Sequence, residues 1–212
     1  GKIYIYYGRT NTGTNWQSNS IDPTSASDVI IDTGAGGTYP NGYITVNTFP
    51  MFVRVADMNN DGKNDLILST QSTSFGGASP AGSTFVMFQP ATGWPASITM
   101  FGSTAGTNYF DSTTGAPLSN SMGFRIDGAA SNYSYINGAG DLNGDGKTEI
   151  IYGDEFNLHV FDGATGAEVY KTPNSTYTAR ELPPTVDVDG DGFVDIVVAA
   201  NVCPLSFPGS PR

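Results

Sequence analysis

Side-chain oxygens recur at alternate positions in three short stretches of this 212-residue chain, and no other pattern in it points as directly to chemistry. Asp57, Asn59, Asp61 and Asp65 stand at positions one, three, five and nine of the first stretch. Asp141, Asn143, Asp145 and Glu149 hold the same positions in the second, and Asp187, Asp189, Asp191 and Asp195 in the third. A glycine follows the fifth position each time (Gly62, Gly146, Gly192) and supplies a tight turn. Alternating oxygens closed by one more carboxylate let a short loop wrap a hard cation. One copy is as readily a solvated Asp/Asn/Gly turn; three copies, each running into an apolar stretch, point to metal.

Other chemistry is thinly represented. His159 is the sole histidine, between Leu158 and Val160, and reads as a packed strand residue rather than a base. Cys203 is the sole cysteine; it excludes an intrachain disulfide framework, and with no base beside it reads as a buried thiol rather than a nucleophile. No G-x-S-x-G and no Gly-rich phosphate loop occurs. Arg54, Arg125 and Arg180 read as isolated surface cations, and Trp16, Trp94 and the tyrosines as packing rather than sugar-stacking platforms. Asn132 and Asn174 open glycosylation sequons.

The loops must be held by strands. Residues 1–8 (GKIYIYYG) alternate, with Ile3, Ile5 and Tyr7 on one face and Tyr4 and Tyr6 on the other. The polar run 9–27 reads as a long surface loop, and 28–32 and 43–46 as short strands. Residues 52–56 lead into the first acidic loop and 66–69 lead out; 71–83 is a Ser/Gly-rich loop before a strand at 84–88. A second unit repeats this order: 124–128 resembles 29–33, residues 133–138 enter the loop and 149–152 leave it. Residues 158–161 and 168–170 then form a hairpin around Asp162–Gly166. A third unit enters at 184–186 and leaves at 196–200. No segment keeps a helical period. The expectation is an all-β chain of propeller-type blades, each of four short antiparallel strands.

Bulk composition agrees. Net charge is −11 and the pI about 4.1, which excludes attraction to nucleic-acid phosphate or anionic lipid as a role. The three loops hold ten of the twenty acidic residues, so the acidity is concentrated where a cation would neutralise it. Three divalent ions would move the formal charge from −11 to −5. No run approaches the roughly 18 apolar residues of a membrane span. Few charges and abundant Gly, Ser, Thr and Asn suit a secreted or cell-surface β-protein. Residue 1 is Gly, which reads as a processed chain or a piece of a longer one.

These features resemble the FG-GAP (VCBS, integrin α-like) family of propeller repeats. The resemblance is carried by Gly-Phe-Arg-Ile-Asp-Gly-Ala-Ala at 123–130, the run into Gly140-Asp141, the three acidic loops, and GKIYIYYG. It implies blades whose loop between the first two strands binds calcium, up to three ions here. The implied ligands are Asp57, Asn59, Asp61 and Asp65 with the Lys63 carbonyl; Asp141, Asn143, Asp145 and Glu149 with the Lys147 carbonyl; and Asp187, Asp189, Asp191 and Asp195 with the Phe193 carbonyl. All-oxygen ligation favours calcium over zinc or copper. An EF-hand is excluded, because its twelfth position would be Leu68, Tyr152 or Val198 instead of a bidentate Glu. The family's Gly-Ala-Pro segment is absent, Ser69-Thr70, Gly153-Asp154 and Ala199-Ala200 standing in its place, which weakens the transfer of any particular partner.

One repeat domain is expected over 1–212: outer strands of a blade at about 1–50, blade one at 51–118, blade two at 119–180, and the inner strands of a third blade at 181–212. Incomplete blades at both ends suggest a segment of a longer propeller, or a chain whose outer strands complete the next subunit, head to tail, as a filament. The functional expectation is an extracellular, calcium-stabilised structural or adhesive glycoprotein without catalytic activity, whose partners are further copies, another extracellular protein or a glycan. The alternatives are a lectin-like module of a larger surface protein and, further off, the accessory propeller of a polysaccharide-active enzyme.

Overall fold

Short runs of β-branched and aromatic residues between glycine-rich turns dictate short strands. The computed structural model describes residues 2–7, 28–32, 52–70, 83–106, 108–111, 114–127, 135–153, 157–172 and 187–196. Among them are β1 (Lys2–Ile5), β2 (Val29–Asp32), β3 (Phe52–Ala56), β4 (Asp65–Thr70), β5 (Ser83–Met87) and β6 (Ser97–Gly102). Then follow β7 (Asn108–Asp111), β8 (Gly123–Asp127), β9 (Tyr135–Gly140), β10 (Glu149–Gly153), β11 (Leu158–Asp162) and β12 (Glu168–Lys171). There is no helix among the described residues, and so none long and apolar enough to cross a membrane.

The strands form three four-stranded sheets, none closed on itself, in the orders β1-β2-β6-β7, β3-β4-β5-β8 and β9-β10-β11-β12. The second and third are antiparallel throughout. Pairing register decides which side chains share a face, because residues opposite one another point the same way. In the second sheet Leu66 faces Met87 and Leu68 faces Phe85, while Ile67, Val86 and Phe124 lie on the other side. Leu66, Leu68, Phe85 and Met87 pack with Val29 and Ile31 of β2, Ile98 and Met100 of β6, and Tyr109 and Phe110 of β7. The opposite face, with Ile67, Val86, Phe124 and Ile126, packs against Ile150 of β10 and Phe161 of β11. The far face of the third sheet (Ile151, Leu158, Val160) meets Leu142 and Ile196. The three sheets are therefore stacked in order, the middle one covered on both faces, which is why β5 is buried along its whole length.

Several expectations meet this arrangement directly. The strands at 28–32, 52–56, 66–69 and 84–88 and the hairpin around Asp162–Gly166 are present, shifted at most by a residue or two. Two strands were missed. β6 and β7 pair parallel to β2 and to each other, so the N-terminal hairpin finds its neighbours within the chain, and the first sheet is mixed rather than antiparallel. The cause lies in Ile98, Met100, Tyr109 and Phe110, whose side chains need the same core as Val29 and Ile31. β8, read as the opening of the second unit, pairs with β5 from Met87↔Gly123 to Ser83↔Asp127 and completes the sheet of the first loop. The loop at 9–27, the strand at 43–46, the third unit's flanks at 184–186 and 197–200, Asn132, Asn174, Arg180 and Cys203 lie outside the described residues.

Candidate metal centre

The first two acidic loops each link the first two strands of a unit, 57–64 joining β3 to β4 and 141–148 joining β9 to β10, and 187–195 repeats their hydrogen-bonded form. The three close on themselves by one hydrogen-bond scheme. The carboxylate at position one accepts from the amide at position six: Asp57 from Gly62 at 2.8 Å, Asp141 from Gly146 at 2.9 Å, Asp187 from Gly192 at 2.9 Å. The oxygen at position three accepts from the amide at five: Asn59 from Asp61, Asn143 from Asp145, Asp189 from Asp191, at 3.1, 2.9 and 3.1 Å. Position five accepts from seven: Asp61 from Lys63, Asp145 from Lys147, Asp191 from Phe193. Position nine reaches back to the amide at two: Asp65 to Met58, Glu149 to Leu142, Asp195 to Val188, at 2.9, 2.8 and 2.8 Å.

The turn requires left-handed backbone at positions four and six. Gly62, Gly146 and Gly192 have φ of 82°, 84° and 93°; at position four Gly144 and Gly190 have 75° and 80°, and Asn60 adopts 57°. Asparagine is among the few non-glycine residues that visit this region readily.

Electrostatics sharpens the comparison. Asp65 is fully buried and Glu149 is 1% exposed. Burial pushes the Asp65 carboxyl above the usual range, with the Gln89 and Met58 amides pulling it back. Burial likewise raises Glu149; the Leu142 and Asn143 amides oppose this, while the charges of Asp145 and Asp141 add to it. Asp61, on the surface, is lowered, chiefly by its hydrogen bond from Lys63. Lys63 Nζ lies 3.0 Å from Asp61 Oδ2 and Lys147 Nζ 4.0 Å from Asp145 Oδ2; both pairs are exposed, where such contacts contribute little.

Two features of the loops are compatible with a hard cation. Glu149 Oε1 is buried and has no hydrogen-bond partner of good geometry among the described residues. Among the described residues the third loop alone brings three carboxylate oxygens, of Asp187, Asp189 and Asp195, within 4.8 Å of one another. Carboxylates crowded this closely repel unless a proton or a cation lies between them.

The loops also touch. Thr148 Oγ1 donates to the Asp57 carbonyl at 2.9 Å, Gly146 lies against Asn60, and the Phe193 ring lies against Gly144. The Met58 side chain packs beneath Gly163 of the β11–β12 turn. One end of the stack thus presents a row of three acidic loops in contact, an adjacency the spacing in sequence gave no means of seeing.

Of the remaining candidates, His159 is 9% exposed, bonded through Nδ1 to Glu168 at 2.5 Å, and set among Tyr152 and Phe161. Arg125 pairs with Asp127 at 2.6 Å, and Trp94 packs on Tyr109. A feature not foreseen is a second copy of the Asp162 turn. Asp111 Oδ1 accepts from the Thr114 amide and hydroxyl at 2.7 and 2.9 Å, as Asp162 Oδ1 accepts from those of Thr165, both at 2.8 Å. The shared D-x-x-T-G-A at 111–116 and 162–167 was its signal. No family model matches this chain, and no curated protein matches it either.

Proposed function

We propose that this chain is an extracellular, calcium-stabilised structural or adhesive protein built of propeller-type sheets, with the acidic loops as its cation clips. The observation that carries the reading is the repetition of one hydrogen-bond scheme in three loops, together with a buried glutamate oxygen that a cation would satisfy. All donors are oxygens, which suits calcium. Exposed loops of this kind fall among the weaker oxygen sites, with dissociation constants on the order of 10⁻⁴–10⁻³ M, a range that extracellular calcium fills and cytosolic calcium does not.

Face-to-face stacking of two antiparallel four-stranded sheets, each with its acidic loop between the first two strands, supports adjacent blades of a propeller arc. Recognition of a protein, a glycan or a further copy would then fall to the exposed strands and loops. Strand donation by the N-terminal hairpin draws no support from the sheet order, since β2 is already flanked by β1 and β6.

Calorimetric melting of the whole chain in millimolar calcium and in chelator tests the reading. Calcium at about 1 to 10 times the dissociation constant adds roughly 0.4–1.4 kcal/mol per site, so a rise in Tm is expected with calcium, larger than sodium at matched ionic strength produces. Equal melting temperatures in calcium and chelator would refute it.

A further inference from the structure

The three loops share a backbone scheme but differ in what their ninth-position carboxylate has left to offer. Both oxygens of Asp65 are engaged by the protein: Oδ2 accepts from the Met58 amide at 2.9 Å, and Oδ1 from the Gln89 amide, just beyond β5, at 2.8 Å. The first loop thereby closes on its own framework and ties itself to the following strand. Glu149, one methylene longer, has Oε2 engaged by the Leu142 amide, while the Asn143 amide acts on the carboxyl without closing a bond of good geometry to Oε1. Its Oε1 is equally removed from water and is left without a partner of good geometry, in the field of Asp141 and Asp145. A buried acceptor left unsatisfied is unfavourable, and more so when charged.

Resting on the calcium reading above, we propose that the loops load unequally: the first is a self-satisfied clip that keeps its shape without a cation, and the second depends on one, with Glu149 Oε1 as the ligand oxygen that the protein leaves for it. Cation affinity in such loops follows ligand charge and rigidity. At their alternating positions the first and second loops each offer three carboxylates and one amide, and each loop carries one lysine, so charge does not separate them. What separates them is the Gln89 amide, which closes on Asp65 Oδ1 where Glu149 Oε1 has no bond of good geometry.

Calcium titration by calorimetry and thermal melts of the whole chain, comparing wild type with Asp65→Asn and Glu149→Gln, decide the matter. Glu149→Gln should lose one binding event, or weaken one by at least tenfold. Its calcium-dependent rise in Tm should shrink, while its Tm in chelator should equal or exceed that of wild type. Asp65→Asn should melt lower by similar amounts in calcium and in chelator, because an amide nitrogen is forced against a backbone N–H. If that variant does not fold, hydrogen exchange in wild type answers the same question. The Met58 amide should be protected in chelator, whereas the Leu142 amide should gain at least tenfold protection on adding calcium. Glu149→Gln titrating like wild type, or equal calcium dependence of the Met58 and Leu142 amides, would overturn the inequality alone. A wild-type chain that takes up no calcium would overturn the underlying reading as well.

Discussion

Asp162 shows how much one side chain organises at the smallest scale. Its Oδ1 accepts from the amides of Ala164 and Thr165 and the Thr165 hydroxyl, while its backbone pairs with Ala167 and Gly166. Burial would raise this carboxyl, but the bonds from Thr165 and Ala164, with Lys147 nearby, hold it below the ordinary range. A carboxyl depressed on folding stabilises the fold above its unfolded pKa, and that contribution disappears as pH falls through the folded value. Asp162→Ala should therefore cost about 1–2 kcal/mol at neutral pH. In denaturant titrations the difference from wild type should close as pH drops below about 4. Asn60 offers a second test. Replacing it with Val forces a β-branched residue into left-handed backbone and should cost about 1–2 kcal/mol, whereas Asn60→Gly should remain near wild type.

Residue types at fixed spacing were the most legible part of the sequence. Asp57, Asn59 and Asp61, with their counterparts in the other two loops, are written directly as alternation, because the loop closes on itself within nine residues. The double engagement of Asp65 was not legible, since Gln89 lies 24 residues away and contributes through its backbone amide, which carries no residue code.

At the scale of elements, strands were legible where alternation was uninterrupted and bordered a motif. β6 was missed although Ile98 and Met100 are buried and Ser97 and Thr99 are exposed, because no turn signal beside it resembled those of the acidic units. Its parallel pairing with β2 could not be read at all, since the two strands are joined by distant chain. The loop row belongs to this scale too. The Thr148 hydroxyl ties the second loop to the backbone of the first, so Thr148→Val should lower stability by about 1 kcal/mol in urea unfolding. Thr148→Ser, which keeps the hydroxyl, should recover most of it.

At the scale of the whole molecule, stability rests on faces shared between sheets. Phe85 stands where the first two meet, 4.9 Å from Phe110 and 5.4 Å from Phe101 between ring centroids, both edge-on. Phe85→Ala should cost about 3–5 kcal/mol, and near-ultraviolet circular dichroism should report the loss of both aromatic contacts.

The pairing of β2 with β6 also fixes a sequence of events. Ile31 lies opposite Ile98, and everything between them, including three strands of the neighbouring sheet, must be made before the two can meet. The second sheet's first three strands, by contrast, follow one another directly. Long-range pairing bears its loop-closure cost before any contact compensates for it. On a ribosome β2 therefore emerges before β6 and finds its seat late, after the strands between them have been made. Its apolar Val29 and Ile31 wait exposed in the meantime, which marks the N-terminal hairpin as the segment for which a nascent chain of this protein most needs a chaperone.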